Sequence, residues 1–179
     1  AIYDEHKAHY PPTVYARVKE GTSQTVVQYW LFYYLNDWRN IHEGDWELVQ
    51  LHFPGGTARQ LLDGNITPTF AAYSQHQAGQ RMTWSEMQNK GLLTGTHPSV
   101  YVAQGSHANY FTPGQFWSGL DFDDTGLTSW RVISPEQLEV ILLPEMEQEG
   151  AEWLGFKGYW GEYIGFSISV LGLSFGQKG

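Results

Sequence analysis

The chain has 179 residues, a formal net charge of −9 and no cysteine. That length suits one compact domain with a sizeable core. The lack of cysteine excludes disulfides, zinc ribbons and thiol catalysis. The acidic balance, with no basic run, argues against nucleic acid and against electrostatic docking on an anionic membrane. It is compatible with a cation site, because surplus carboxylates lower the cost of placing a cation.

Aromatic residues make up 16% of the chain and eight are Trp, which fits either a β-rich core or an aromatic binding face. No apolar run reaches transmembrane length and no signal peptide is present. The first residue is Ala1, which fits processing or trimming and leaves room for a removed leader.

In chain order, residues 1–12 read as an irregular lead-in ending at Pro11-Pro12. Thr13 to Val18 alternates like a short strand. Thr25 to Leu35 is β-branched and aromatic on both faces, as expected of a central strand covered on both sides. A loop from Asn36 to Gly44 is expected next, then a strand from Asp45 to Phe53.

Period-2 alternation places Asp45, Glu47, Val49, Leu51 and Phe53 on one face of that strand, and Trp46, Leu48, Gln50 and His52 on the other. Two carboxylates therefore stand at the entrance of an otherwise apolar face. Ala58 to Leu62 reads as a weaker strand, with Asp63-Gly64 as a hairpin signal. Thr69 to Ser74 is a strand leading to His76, and Arg81 to Asn89 is either strand or helical turn.

Ser99 to Ala103 is a strand, followed by "QGSHANYF" from Gln104 to Phe111. Asp121 to Gly126 is an acidic turn and Trp130 to Ile133 a strand. Ser134-Pro135-Glu136 resembles a helix start, with Ser134 capping. Gln148 to Gly150 reads as a loop, and Phe166, Ile168 and Val170 alternate with Ser167 and Ser169 as in a final strand. Many short strands punctuated by Gly and Pro predict a mainly β, single-domain β-sandwich with one or two short helices. Its core spans about residues 12–165, and 166–179 form a terminal strand or the start of a link to a further domain.

The chemistry concentrates in "NDWRNIHEGDWE", Asn36 to Glu47. Oxygen ligands from Asp and Glu suit Ca²⁺ or Mg²⁺, and an imidazole widens the choice toward Mn or Zn. Glu43, Asp45 and Glu47 repel one another unless a cation or protons intervene. The competing reading is a capped, salt-bridged loop, since acidic residues near Gly are ordinary in turns.

Two sharper motifs fail. "HEGDW" carries Trp46 where a zincin needs its second His. Ser106 beside His107 lacks the Gly-x-Ser-x-Gly frame of a hydrolase. Among seven His residues, His76 and His107 each follow a strand end that could meet the same rim.

"YWLFYYLNDW", "HEGDWE", "HPSVYVAQGSHANYF" and "FKGYWGE" together resemble the Vps62-type family from about Pro12 to Glu162. More distantly the chain is similar to the necrosis- and ethylene-inducing (Nep1-like) proteins, secreted β-sandwich toxins. Those carry a Gly-His-Arg-His-Asp-Trp-Glu heptapeptide beside a divalent cation and bind glycosylated sphingolipid headgroups. His42, Asp45, Trp46 and Glu47 match that heptapeptide, whereas Ile41, Glu43 and Gly44 depart from it.

The resemblance implies a divalent cation held by Asp37, His42, Asp45 and Glu47, with His107 on a neighbouring loop. The glycolipid specificity and toxicity of that family do not carry over with the departures; the favoured reading is a cation-dependent recognition domain for a glycan or lipid headgroup, secreted or membrane-peripheral. Trp38, Trp46 and Trp84, with His76, are the expected ligand-binding residues. The alternatives are an accessory domain of a larger trafficking or secreted protein, or a metal-dependent hydrolase with Glu43 or Glu47 as general base.

Overall fold

A computed structural model describes residues 8–64, 66–119, 121–126, 131–144 and 151–166. The expected β-sandwich is present. One layer is a seven-stranded sheet. The other consists of short ribbons and a helix.

The chain opens with β1 (Thr13–Glu20), β2 (Thr25–Asn36) and β3 (Asn40–Phe53). β4 (Phe70–Gln75) and β5 (Ala78–Thr83) follow. Three short ribbons come next. They pair β6 (Leu93–Thr94) with β7 (His97–Pro98), β8 (Tyr101–Val102) with β9 (Asn109–Tyr110), and β10 (Gln115–Trp117) with β11 (Phe122–Asp124). The last strands are β12 (Glu139–Leu142) and β13 (Tyr163–Phe166).

Along the large sheet the order is β12-β1-β2-β3-β4-β5. β12 runs parallel to β1, and the other neighbours are antiparallel. β13 pairs with the start of β3, and β4 pairs with its end.

The loop expected from Asn36 to Gly44 shrinks to a short turn. β2 and β3 form a tight hairpin, paired from Thr25↔Phe53 to Asn36↔His42, so His42, Glu43 and Gly44 lie within a strand. Ala58–Leu62 is helix α1 rather than strand. Thr57 caps it, and the Gln60 side chain returns to the Thr57 backbone in a capping box. Asp63 is then a helix C-cap, not a hairpin turn.

Arg81 to Asn89 divides between the two expectations. β5 ends at Thr83, which caps helix α2 (Trp84–Asn89). The acidic turn expected from Asp121 to Gly126 holds strand β11 in its middle, at Phe122–Asp124. Arg131 to Ile133 carry no strand, and Trp130, Gln148–Gly150, Ile168 and Val170 lie outside the described residues. Ser134 precedes a single 3-10 turn, Pro135–Gln137.

The core sits between the sheet and the second layer. Val49 and Leu51 of β3 and Ala71 and Tyr73 of β4 pack against Trp84 and Met87 of α2, with Leu92 and Phe111. Burying each such Leu or Val contributes roughly 1.5–3 kcal/mol. The alternation read from the sequence holds here: Asp45, Glu47, Val49 and Leu51 share the inner face, and Trp46 lies on the outer one.

Candidate functional site: an acidic rim and an aromatic face

The inner face turns polar at the β2–β3 hairpin end, where the core stops. Asp45 is the first anchor. Its Oδ2 lies 3.0 Å from His107 Nδ1 and accepts from Asn36 Nδ2 at 3.0 Å. Burial pushes its carboxyl up, but the bonds from His107 and Asn36, with the charges of His107 and His42, bring it below its ordinary value.

His107 stacks flat on Tyr33, the residue paired with Asp45, with ring centroids 4.0 Å apart. Its backbone is left-handed, at φ 59°. That conformation is uncommon outside Gly, and the surrounding contacts must hold it. The loop is fixed partly by Gly105, whose carbonyl accepts from Asp37 N at 3.1 Å.

His42 stands on the other side of Asp45. Its Nδ1 donates to the Asn40 carbonyl at 2.5 Å, which leaves the Nε2 lone pair free in the neutral ring. Nε2 faces Asp45 Oδ1 across 4.0 Å, too far for a hydrogen bond. Both side chains are partly exposed, at 24% and 16%.

Two residues along β3, Glu47 is buried at 6%. Its Oε2 accepts a short hydrogen bond from Ser74 Oγ, and the same oxygen of Ser74 accepts from Leu48 N. Burial, opposed by the Ser74 bond and helped by the Asp45 charge, pushes the Glu47 carboxyl up to about 7.

A second carboxylate centre adjoins it. Asp123 is 1% exposed and accepts from Ser106 Oγ at 2.6 Å and Tyr110 Oη at 2.7 Å. His76 Nε2 lies 2.7 Å from Asp123 Oδ2. Burial raises the Asp123 carboxyl, but the bonds from His76, Ser106 and Tyr110 outweigh it and the net shift is downward. The Asp123 bond raises His76 against its own burial. His76 is also left-handed, at φ 52°, and stacks on Trp38 at 4.6 Å.

The structure therefore brings together His42, Asp45, Glu47, His76, His107 and Trp38. Asp37 is exposed, and its described bond is through its backbone. Among the described residues, no three His, Cys, Asp or Glu side chains are already arranged to hold a metal. The donor types nonetheless fit a hard divalent cation: the Asp45 and Glu47 carboxyls and the His42 imidazole, whose Nδ1 is engaged by the Asn40 carbonyl. Asn109 Oδ1 is buried without a partner among the described residues, one hydrogen bond from Ser74.

Several expectations are corrected. Trp84 is 7% exposed and packed in the core, so it presents no face at the rim. Trp46 belongs to the opposite face of the sheet, because it alternates with Asp45 and Glu47. The Glu43 carboxylate accepts from Tyr34 Oη at 3.0 Å and lies beside Glu162, where Glu162 N donates to it at 3.5 Å. Ser106, beside His107 in sequence, donates its hydroxyl to Asp123 Oδ1.

Sequence reasoning does not single out Asp123, Ser74, Asn36 or Tyr110. Asn36, read from the sequence as a loop residue, is the last residue of β2, opposite His42. The others arrive only through tertiary contact.

Trp46 anchors an aromatic assembly on the outer face. Its ring centroid lies 4.9 Å from Phe32, 5.5 Å from Tyr15 and 5.7 Å from Trp160. Trp153 and Trp160 belong to the segment preceding β13. That segment is seated by Gly44, where φ is 72° and an added Cβ would lie 1.9 Å from the Trp160 carbonyl oxygen.

No family model matches the chain. It is 26% identical over 179 residues to a putative vacuolar protein sorting-associated protein, TDA6, of Saccharomyces cerevisiae, covering 84% of this chain and 38% of that protein. It is 25% identical to vacuolar protein sorting-associated protein 62 of the same yeast, covering 84% of this chain and 37% of that one. The chain resembles the Vps62-type proteins. It spans less than two fifths of the length of these relatives.

Among solved structures, the Nep1-like protein NLPPya in complex with glucosamine aligns with a TM-score of 0.45 at 15% identity, over 72% of this chain and 49% of that one. NLPPya in complex with mannosamine gives 0.44 at 14% identity, over 72% and 50%. Both resemblances read from the motifs, Vps62-type and Nep1-like, recur in these comparisons.

Proposed function

We propose that the chain is a recognition domain for a hydroxyl-rich polar ligand of glycan type, bound at the Asp45 rim with the help of a divalent cation. The observation that carries this reading is the pairing of His42 and Asp45. The Asn40 carbonyl fixes His42 Nδ1, so its Nε2 lone pair faces Asp45 Oδ1 across a gap of 4.0 Å. A gap of that size between two acceptors suits a shared cation or a bridging ligand hydroxyl.

Asp45, His42 and Glu47 would hold the cation, with ligand and water oxygens completing its shell. A hard, oxygen-preferring ion such as Ca²⁺ or Mg²⁺ is favoured, and the imidazole also admits Mn²⁺ or Zn²⁺. Trp38, backed by His76, would offer the stacking face. Because the chain covers under two fifths of its yeast relatives, the recognition role is proposed as one part of a longer trafficking or secreted protein.

The test is calorimetric titration of metal-stripped protein with Ca²⁺, Mg²⁺ and Mn²⁺, in wild type and Asp45→Asn, followed by glucosamine titration of the metal-loaded form. Stoichiometric cation binding lost in the variant, with sugar binding that chelator removes, is the expected result. Sugar binding that survives chelation overturns the cation, and no binding of either overturns the whole reading.

A further inference from the structure

We propose that the outer face of the sheet carries a second site, a cage for the trimethylammonium group of a choline phospholipid at a zwitterionic membrane surface. It is independent of the Asp45 rim, since the two lie on opposite faces of β3. The site is an open cleft of about 440 Å³ lined by Tyr15, Phe32, Trp46, Ile141, Trp153 and Trp160. Five of these six are aromatic, contributed by β1, β2, β3 and the segment before β13.

Their rings are not stacked into one slab. Trp46 meets Trp160 at 78° and Tyr15 at 62°, and Trp153 meets Trp160 at 87°. Rings set edge to face around an opening present π faces from several directions. Such an arrangement attracts a bulky, weakly hydrated cation and disfavours an anion.

Charge points the same way. None of the lining side chains is basic, and the Glu43 carboxylate stands on the adjoining strand segment, held by Tyr34, which shares its face of β2 with Phe32. The chain's net charge of −9 repels it from an anionic leaflet. A zwitterionic surface carries no such penalty and displays its ammonium outward.

The lipid source, rather than a free choline ester, is favoured by the cleft's rim. Phe156 is 53% exposed, Tyr159 94% and Trp160 40%, all in one segment. Tyr and Trp exposed together beside a cleft suit the headgroup level of a bilayer, where one end of the ring is apolar and the other wet. Lys157 lies exposed in the same segment and supplies a cation for the lipid phosphate.

The experiment is flotation of the metal-stripped wild-type protein with vesicles of pure phosphatidylcholine, phosphatidylethanolamine-rich vesicles and vesicles containing phosphatidylglycerol. Chelation silences the rim, so failure here and failure of the proposed cation site are read separately. Phosphatidylcholine vesicles should carry the protein, phosphatidylethanolamine at least tenfold less, and soluble phosphocholine should compete.

Trp160→Ala should weaken flotation at least tenfold with an unchanged far-ultraviolet spectrum. Phe32→Ala provides a second variant, should the first disturb the segment. Equal binding to phosphatidylethanolamine, or stronger binding to phosphatidylglycerol vesicles, overturns the quaternary-ammonium cage. Binding of soluble phosphocholine without flotation overturns the membrane source. Absence of any binding by the folded wild type overturns the site altogether.

Discussion

Asp123→Asn tests the electrostatic reasoning most directly, because it is nearly isosteric and removes one charge. Asp123 takes three hydrogen bonds, from His76, Ser106 and Tyr110, in a site where it is 1% exposed. Bonds to a charged acceptor are worth roughly 1.5–3 kcal/mol against about 1 for neutral ones. Asn keeps one acceptor oxygen for His76 and Tyr110 and turns an amide N–H toward Ser106, so the three contacts together lose about 1.5–6 kcal/mol near pH 5.5. For a chain of this size that lowers the melting temperature by roughly 3–24 °C.

The pH profile adds a second constraint. Asp123 has a folded pKa below its ordinary value, so its stabilisation is present above about pH 4 and is lost as pH falls further. His76 has a folded pKa above its ordinary value, so its share is complete below about pH 6.5 and is lost as pH rises through the folded pKa. The difference between wild type and variant should peak between these limits and shrink on both sides, while the Ser106 and Tyr110 bonds preserve part of it at pH 9. Urea denaturation at several pH values measures it. A difference that stays flat from pH 4.5 to 9, or stays below about 0.5 kcal/mol, refutes the Asp123–His76 pairing.

Other outcomes follow from the same geometry. In chelator-treated protein, Glu47→Gln should stabilise at pH 8 by on the order of 1–3 kcal/mol, because burial holds the Glu47 pKa up to about 7 and its ionisation at the higher pH opposes folding; chemical denaturation at pH 5 and pH 8 checks it, and equal effects at both would count against it. Gly44→Ala should cost more than about 2 kcal/mol, since the new methyl meets the Trp160 carbonyl and φ is positive, and a red shift of Trp emission should accompany the lower melting temperature. Leu51→Ala should cost roughly 2–5 kcal/mol through a core cavity without altering cation binding, as calorimetry of the refolded variant would show.

Much of the fold was legible because β3 alternates cleanly: apolar Val49 and Leu51 fall on the buried face, and their register against Val27 and Tyr29 follows. The same strand was cut short at its start because His42, Glu43 and Gly44 look like turn residues, although they lie within β3. Helix α1 was hidden because five residues give no helical period, and only the Thr57–Gln60 capping box identifies it. At the site, Asp45 and His107 were readable as candidates, but their contact spans 62 positions. Asp123 looked like a turn acid because its partner His76 lies 47 residues away. Counting tryptophans could not separate Trp84, which fills the core, from Trp46, which faces outward.

The two-sidedness of β3 has a consequence for how this domain can vary. Successive residues of one strand serve different faces, with Asp45 and Glu47 inward and Trp46 outward. From Asp45 onward, a substitution at an odd position retunes the acidic rim or the core beneath it while leaving the aromatic assembly in place. A substitution at Trp46 does the reverse. An insertion or deletion of one residue between Asp45 and Val49 would exchange the two sets of side chains across the sheet. Descendants of such a strand can diversify each surface separately by point change, but they must keep its length.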